Sequence, residues 1–305
     1  MERNTRPVHP GAINAAGQAN LTFMTMNRRK FIRQSAVGAV ALSAIPGFLK
    51  AAQAYKFPVG FQTYPIRDMI GKDFAGAMKT MAGLGYQYTE MCYPQGYANA
   101  GFGPLVNIKP SDLKEMINDA GLYCPSCHFG INDLNNNLDK CIEFAHALGM
   151  TQMVTPGFDV PENTIAGYKA AAEKFNKTAE KIKAAGMATG YHNHQKEFQM
   201  LEGQLIYDAI MDALDGSLVK MQFQTEVITL GFDGSTYFEK YPGRFISAHL
   251  SDWTADKKQV PIGQGIINWK EFFKAGKKGG LHNFFVEMNF DNYKGSAGYI
   301  HQLLG

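Results

Sequence analysis

Cysteine and tryptophan are scarce in this sequence, with four and two residues among 305. Cys92, Cys124, Cys127 and Cys141 are too few to frame a disulfide-stapled domain of this length. No apolar run reaches the ~20 residues that a membrane-spanning helix needs. No G-x-G-x-x-G follows the first strand-like run, which argues against a dinucleotide-binding open sheet. A basic stripe with interleaved aromatics is also missing, so nothing points to a nucleic-acid partner. Cys124-Pro125-Ser126-Cys127 has the spacing of a redox or zinc motif. A redox motif opens a helix, however, whereas this one lies inside an apolar strand-like run. No second C-x-x-C exists to complete a zinc site, and the pair reads as structural.

Charge is unevenly placed. Of 30 basic and 27 acidic residues, the first 54 positions hold seven basic ones (Arg3, Arg6, Arg28, Arg29, Lys30, Arg33, Lys50) and one acid, Glu2. Without them the net charge changes from +3 to −3, so the basic character belongs to the leader. Asn27-Arg28-Arg29-Lys30-Phe31-Ile32 is a twin-arginine pattern, followed by an apolar run from Ala36 to Phe48 and by Ala52-Gln53-Ala54. A basic segment, a short apolar segment and an A-x-A site describe a secretory signal peptide. Residues 1–54 are thus expected to be an N-terminal extension and export signal, with the working domain in the periplasm or cell envelope. Met26, directly before the motif, marks a second candidate start.

Residues 55–305 carry no low-complexity linker and are long enough for one complete core. Short β-rich runs alternate with helical patterns eight times. The runs are Pro58–Tyr64, Tyr86–Cys92, Tyr123–Phe129, Gln152–Gly157, Ala188–His194, Val219–Gln224, Phe245–Leu250 and Asn283–Asn289. Between them lie amphipathic stretches such as Phe74–Leu84, Asp112–Ala120 (with Ser111 as a candidate N-cap), Leu134–Leu148, Ile165–Ala185 and Leu205–Leu214. Gly85, Gly121, Gly149, Gly186 and Gly279-Gly280 stand where helices would stop. Strand-then-helix alternation implies parallel strands, and eight units in this length predict an α/β fold, a closed (β/α)8 TIM barrel.

Such barrels build their sites at the C-terminal ends of strands. Four of the seven histidines after the leader fall at expected strand ends: His128, His192, His194 and His249. They are joined by Tyr64, Glu90, Gln224, Asp252, Trp253 and Glu287. His192, His249 and Glu287, on strands five, seven and eight, would point into one axial pocket. Imidazole and carboxylate together are ordinary ligands of a catalytic divalent metal.

Three segments carry a specific resemblance. Tyr191-His192-Asn193-His194-Gln195-Lys196-Glu197-Phe198, Tyr241-Pro242-Gly243-Arg244-Phe245 with His249 and Asp252, and Val260-Pro261-Ile262-Gly263-Gln264-Gly265 with Trp269 resemble, in order, motifs of xylose-isomerase-like sugar isomerases and epimerases. The resemblance covers essentially all of 55–305. It implies proton abstraction next to a sugar carbonyl and a four-ligand metal site, often Glu, Asp, His and Glu. Carried onto this chain those positions are His192, Gln224, His249 and Glu287, which keep one carboxylate where the pattern has three. Fewer anionic oxygens weaken the hold on Mg or Mn and shift preference toward Zn or similar ions such as Co. Glu226, two residues beyond Gln224, is a candidate to restore a carboxylate; the alternative is a pocket that has lost the metal and works through His and Glu alone.

Glu287, His192, Glu90 and His128 are the expected catalytic residues. Tyr64, His194, Asp252 and Trp253 are the expected substrate-binding residues, with Phe129 a further ring for stacking. The partner is expected to be a small-molecule sugar or keto-glycoside, and assembly as a homo-oligomer is compatible with the sequence. Besides isomerisation or epimerisation, two readings stay open: a lyase or hydratase acting on 3-keto glycosides, and a non-catalytic carbohydrate-binding barrel.

Overall fold

A computed structural model describes residues 58–304. The expected leader and export signal, residues 1–54, lie outside the described residues. Eight strands form the barrel: β1 Val59–Gln62, β2 Tyr88–Cys92, β3 Tyr123–His128, β4 Gln152–Thr155, β5 Ala188–His192, β6 Val219–Gln224, β7 Phe245–Leu250 and β8 Asn283–Val286. Every neighbouring pair is parallel and β8 closes back onto β1, so the sheet has no edge. The expected barrel is the observed one. β6 and β7 have their expected limits, whereas β5 and β8 stop earlier, where polar residues turn into loops.

The helices are α1 Arg67–Lys72, α2 Phe74–Gly83, α3 Pro110–Asp119, α4 Ile131–Asn136, α5 Leu138–Leu148, α6 Ile165–Ala184, α7 Ile206–Ala213, α8 Gly234–Lys240, α9 Trp269–Gly279 and α10 Tyr293–Leu304. In α6 the buried residues Ile165, Tyr168, Ala172, Phe175, Ala179 and Ile182 recur every three or four positions, which is one helix face. Thr164 caps it by accepting from the Gly167 N–H at 3.0 Å. Gly149 ends α5 at φ 81°, a left-handed turn that a side chain would strain.

Two local expectations need correction. The single helix expected over Leu134–Leu148 is two, broken at Asn137, whose φ −137° and ψ 33° are not helical. Ser111 is not the cap of α3: Lys109 takes that position with Pro110 at the first turn, and the Ser111 hydroxyl bonds Asp112 instead. No helix among the described residues is long and apolar enough to cross a membrane.

The two faces of the barrel sheet differ sharply. Outward positions are apolar: Phe223 packs on Phe238 of α8, and Phe284 on Phe273 of α9. The interior is largely polar, as hydrogen bonds between non-adjacent strands establish. Gln222 of β6 reaches Glu90 of β2 at 2.8 Å, and Asn283 of β8 reaches Gln152 of β4 at 3.0 Å. The alternation of period two thus puts polar residues inside and apolar ones against the helices. Phe285 is an aromatic exception facing β1, where a Cβ on Gly60 would come within 2.5 Å of its ring.

Candidate active site

At the C-terminal ends of the strands lies a cavity of about 260 Å3, lined by Tyr64, Tyr97, His128, His192, His194 and Glu287, with Cys92 and Pro156 completing the wall. Three larger grooves lie elsewhere: two of about 380 and 410 Å3 with largely apolar walls, and one of about 330 Å3 lined by Asn135, Asn136, Asn137, Asp139, Lys140 and Lys181. The cavity at the strand ends brings together His128, His192, His194 and Glu287, and chemistry outweighs size in choosing the site.

The floor of this cavity is a hydrogen-bonded chain. Glu90 is fully buried. One of its oxygens accepts from Ser126 Oγ at 2.5 Å and Gln222 Nε2 at 2.8 Å. The other accepts from Gln62 Nε2 at 3.1 Å and lies 2.5 Å from His249 Nε2. His249 Nδ1 is in turn 2.9 Å from Glu287 Oε2. Both carboxylates can only accept when ionised, so the imidazole between them donates from each side. Burial opposes its charge, but Glu287 and Glu90 prevail and raise its pKa to about 10. Burial likewise opposes ionisation of Glu287, yet the His249 charge and hydrogen bond bring it down to about 2. Glu90 is lowered as well, His128 and His249 overcoming its burial.

The other two histidines of the cluster behave differently. Burial, then the neighbouring His249, His194 and His128 rings, push His192 well below the ordinary histidine value. Burial also lowers His128, against the pull of Glu90. Both are neutral near pH 7. Gln222 donates its amide to Glu90, which leaves its oxygen to accept from His128 Nε2 at 2.7 Å. His128 is thereby held as the Nε2–H tautomer, with its lone pair on Nδ1.

Two buried atoms here have no partner, His192 Nδ1 and Gln224 Oε1. They belong to the two neutral members of the expected ligand set. The Gln224 amide lies 2.6 Å from Glu287 Oε2, the oxygen that also faces His249. A buried polar atom without a partner is costly, and an ion or ligand is one explanation of it. The donor set of two imidazoles, an amide oxygen and one carboxylate fits a divalent cation. His128, His192 and His249 form an overlapping group whose ligand atoms lie within 4.8 Å of one another.

The structure therefore gathers Glu287, His192, His128, Tyr64 and His194 around the cavity, with His249 and Gln224 against Glu287. Glu90 lies under the cavity rather than in its wall, its carboxylate enclosed by Gln62, Ser126, Gln222 and His249, with His128 Nε2 at 3.3 Å. Asp252 is also elsewhere. Its carboxylate accepts from the N–H groups of Trp253, Gly263, Gly265 and Ile267 and from Trp269 Nε1, which makes it the post around which the following loop winds. Trp253 belongs to a short hairpin with Gln259–Val260 and bonds Ser251 Oγ, outside the cavity wall. Phe129 is fully buried against Tyr93 and Phe144. Glu226 is not on the strand: β6 ends at Gln224 and Glu226 enters a 3-10 turn. Burial and then the Glu287 charge raise its pKa.

The C-x-x-C cysteines lie on β3, and all four cysteines are free and buried. Gln62 and Gln222 are recognisable from the sequence as polar strand-end residues but without a role, and Ser126 and Gln152 are not expected in the site. Their signal was polarity at every second strand position.

Residues 78–302 match the model of a family described as xylose isomerase-like TIM barrel. The chain belongs to this family. Among solved structures, a sugar phosphate isomerase/epimerase from Parabacteroides distasonis is 24% identical, with a TM-score of 0.71 over 82% of this chain and 96% of its own. A probable 3-DHS dehydratase, AsbF of Bacillus anthracis, is 12% identical (TM-score 0.60, 80% of this chain and 98% of its own). A zinc-bound IolI protein is 13% identical (TM-score 0.59, 81% and 95%). At these identities the likeness is one of fold. No curated protein matches the chain. Within the family motifs, several residues prove to be scaffold. Glu197 accepts from Tyr191 Oη and the His194 N–H, and Arg244 donates to the Met211 and Leu214 carbonyls at the end of α7.

Proposed function

We propose that this xylose isomerase-like barrel is a carbohydrate-active enzyme of the sugar isomerase/epimerase kind, which removes the proton next to a sugar carbonyl. A divalent metal, held by His192, Gln224, His249 and Glu287, belongs to the same reading. The observation that carries it is the pair of unpartnered buried atoms, His192 Nδ1 and Gln224 Oε1, on two of those four residues. The zinc-bound family-fold neighbour supports it. When bound, such a cation supplies stabilisation of oxyanion charge at the carbonyl. Glu287, ionised and with its side chain 20% exposed, accepts the carbon-bound proton. His128 offers Nδ1 to a substrate hydroxyl, while Tyr64 and His194 at the mouth bind the ring and its hydroxyls. The substrate is a small sugar or keto-glycoside, met outside the cytoplasm if residues 1–54 act as an export signal.

Incubation in heavy water with free ketoses and 3-keto glycosides tests the chemistry. Solvent deuterium should enter the carbon next to the carbonyl, and chelation should stop it. Exchange that survives complete metal removal counts against the metal. Absence of exchange with every sugar that binds leaves a carbohydrate-binding barrel. A lyase or hydratase acting on 3-keto glycosides is the second reading. His192, neutral, stands where many relatives carry glutamate, so Glu287 faces an imidazole rather than a second carboxylate. One carboxylate base without a second one opposite suits elimination better than two-base epimerisation. Loss of the aglycone from a 3-keto glycoside would decide for it.

A further inference from the structure

Glu90 has the properties of a device aimed at one ring. It is fully buried, it lines no part of the cavity, and it lies on β2, across the barrel from His249 on β7. Ser126, Gln222 and Gln62, from β3, β6 and β1, all direct donors at its two oxygens. Three fixed donors leave the carboxylate little freedom to turn. The same Oε2 faces two rings, His249 Nε2 at 2.5 Å and, more distantly, His128 Nε2 at 3.3 Å, so the short contact is the one to His249.

We propose that Glu90 is a positioning residue that fixes the proton of His249 on Nε2 and so dedicates Nδ1 to the metal. The inference rests on the metal reading given above. Donors from Gln62, Ser126 and Gln222 already point at both Glu90 oxygens, so the side chain meets the ring with an acceptor and Nε2 is the nitrogen that carries hydrogen there. The opposite nitrogen, Nδ1, is the one directed at Glu287, 2.9 Å away, on the side of the expected ligands. Ligating histidines commonly donate their second N–H to a carboxylate, which sets the ring orientation and raises ligand basicity. Here that carboxylate is itself held by three other strands. An amide at position 90 would break the logic. Its NH2 group, turned to His249, donates to Nε2 and drives the hydrogen to Nδ1, the atom needed for the metal.

Zinc uptake by the full chain is measured first, by competition with a chromophoric chelator. Long-range 1H–15N spectra of the zinc-loaded, 15N-histidine-labelled protein then locate the ring hydrogen of His249, assigned by its loss in His249→Gln. The expected result is hydrogen on Nε2 and zinc on Nδ1, with Glu90→Gln raising the zinc dissociation constant about 10- to 100-fold. Zinc bound through Nε2 of His249, or a folded Glu90→Gln variant that holds zinc within about twofold of wild type, overturns the inference and leaves the metal reading standing. Failure of wild-type protein to take up zinc, cobalt or manganese overturns both. If Glu90→Gln does not fold, the wild-type spectrum alone decides.

Discussion

Replacing Asp252 with asparagine tests whether this residue is a loop post or a sugar ligand, and the magnitude follows from its contacts. One oxygen accepts from Gly263 N at 2.9 Å, Gly265 N at 3.1 Å and Trp269 Nε1 at 2.8 Å. The other accepts from Trp253 N at 3.0 Å and, more weakly, Ile267 N at 3.4 Å. In its better orientation, asparagine keeps the first three bonds but turns its NH2 toward the Trp253 and Ile267 donors. Hydrogen bonds to a charged acceptor exceed neutral ones by about 1 kcal/mol each, and an orphaned buried donor costs about 1–3 kcal/mol. Relief from burying a charge offsets part of this, leaving an expected net loss of about 2–4 kcal/mol. For a domain of this size that is a fall in Tm of about 4–16 °C. Thermal and urea unfolding followed by circular dichroism measure it, and the urea m-value should not change. Zinc stoichiometry below the lowered Tm should match wild type, because no bonded partner of Asp252 lines the cavity. A variant within about 0.5 kcal/mol of wild type that has lost sugar binding would refute this reasoning and restore Asp252 to the binding site.

Gly60→Ala places a methyl within 2.5 Å of the Phe285 ring and 3.0 Å of the Phe284 carbonyl, and is expected to cost about 1–3 kcal/mol in urea unfolding. A neutral effect would mean that the barrel interior there is not tightly filled. All four thiols are buried, and burial raises their pKa values, those of Cys124 and Cys141 to about 12. Native protein should therefore bind less than one equivalent of a thiol reagent at pH 8, and four after denaturation; rapid native labelling would contradict the burial. His192→Ala and Glu287→Gln should each weaken zinc binding more than about tenfold without a large change in Tm. Zinc and cobalt should bind more tightly than magnesium, since the set has one carboxylate among nitrogen and amide ligands; a preference for magnesium in titration calorimetry would exclude this ligand set.

The barrel was legible because each strand is a short, dense apolar run, each helix repeats every three or four residues, and glycine separates the two. Helix α6 shows this, since its expected span Ile165–Ala185 and its stop before Gly186 match the observed Ile165–Ala184, while the Thr164 cap emerges only in the structure. The convergence of His128, His192, His249 and Glu287 was legible for a related reason: a strand end in this fold has a known direction. What escaped was the distinction between residues at the mouth and residues beneath it. Glu90 and Asp252 are acids beside strand ends, like Glu287, but one is enclosed by side chains from other strands and the other by backbone of its own loop. Neither partner set is local in sequence. The loop makes this plain, since Gly263 and Gly265 wind around the Asp252 carboxylate, and a Cβ on Gly265 would come within 2.2 Å of it. A motif that reads as chemistry is here partly the chemistry of holding a loop.

The departures at positions 192 and 224 have a counterpart in the placement of Glu90. The family pattern implied by the motifs puts three carboxylates around the metal, and such a group is hard to bury without its cation, because like charges in a low-dielectric interior repel. In this chain imidazole and amide replace two of them, and the second carboxylate of the buried centre stands behind His249 instead of in front of it. The three charged groups run Glu90, His249, Glu287, each a hydrogen bond from the next, with a cation between two anions. Taken apart from any metal, that arrangement is already compensated: the positive ring satisfies both acids, and each acid lowers the other's cost by holding the ring charged. Glu90 thus contributes negative charge to the centre at one remove, through a ring, where it can favour a cation at Nδ1 without itself crowding the cavity. Gln62, Ser126 and Gln222 of the polar barrel interior hold that anion in place.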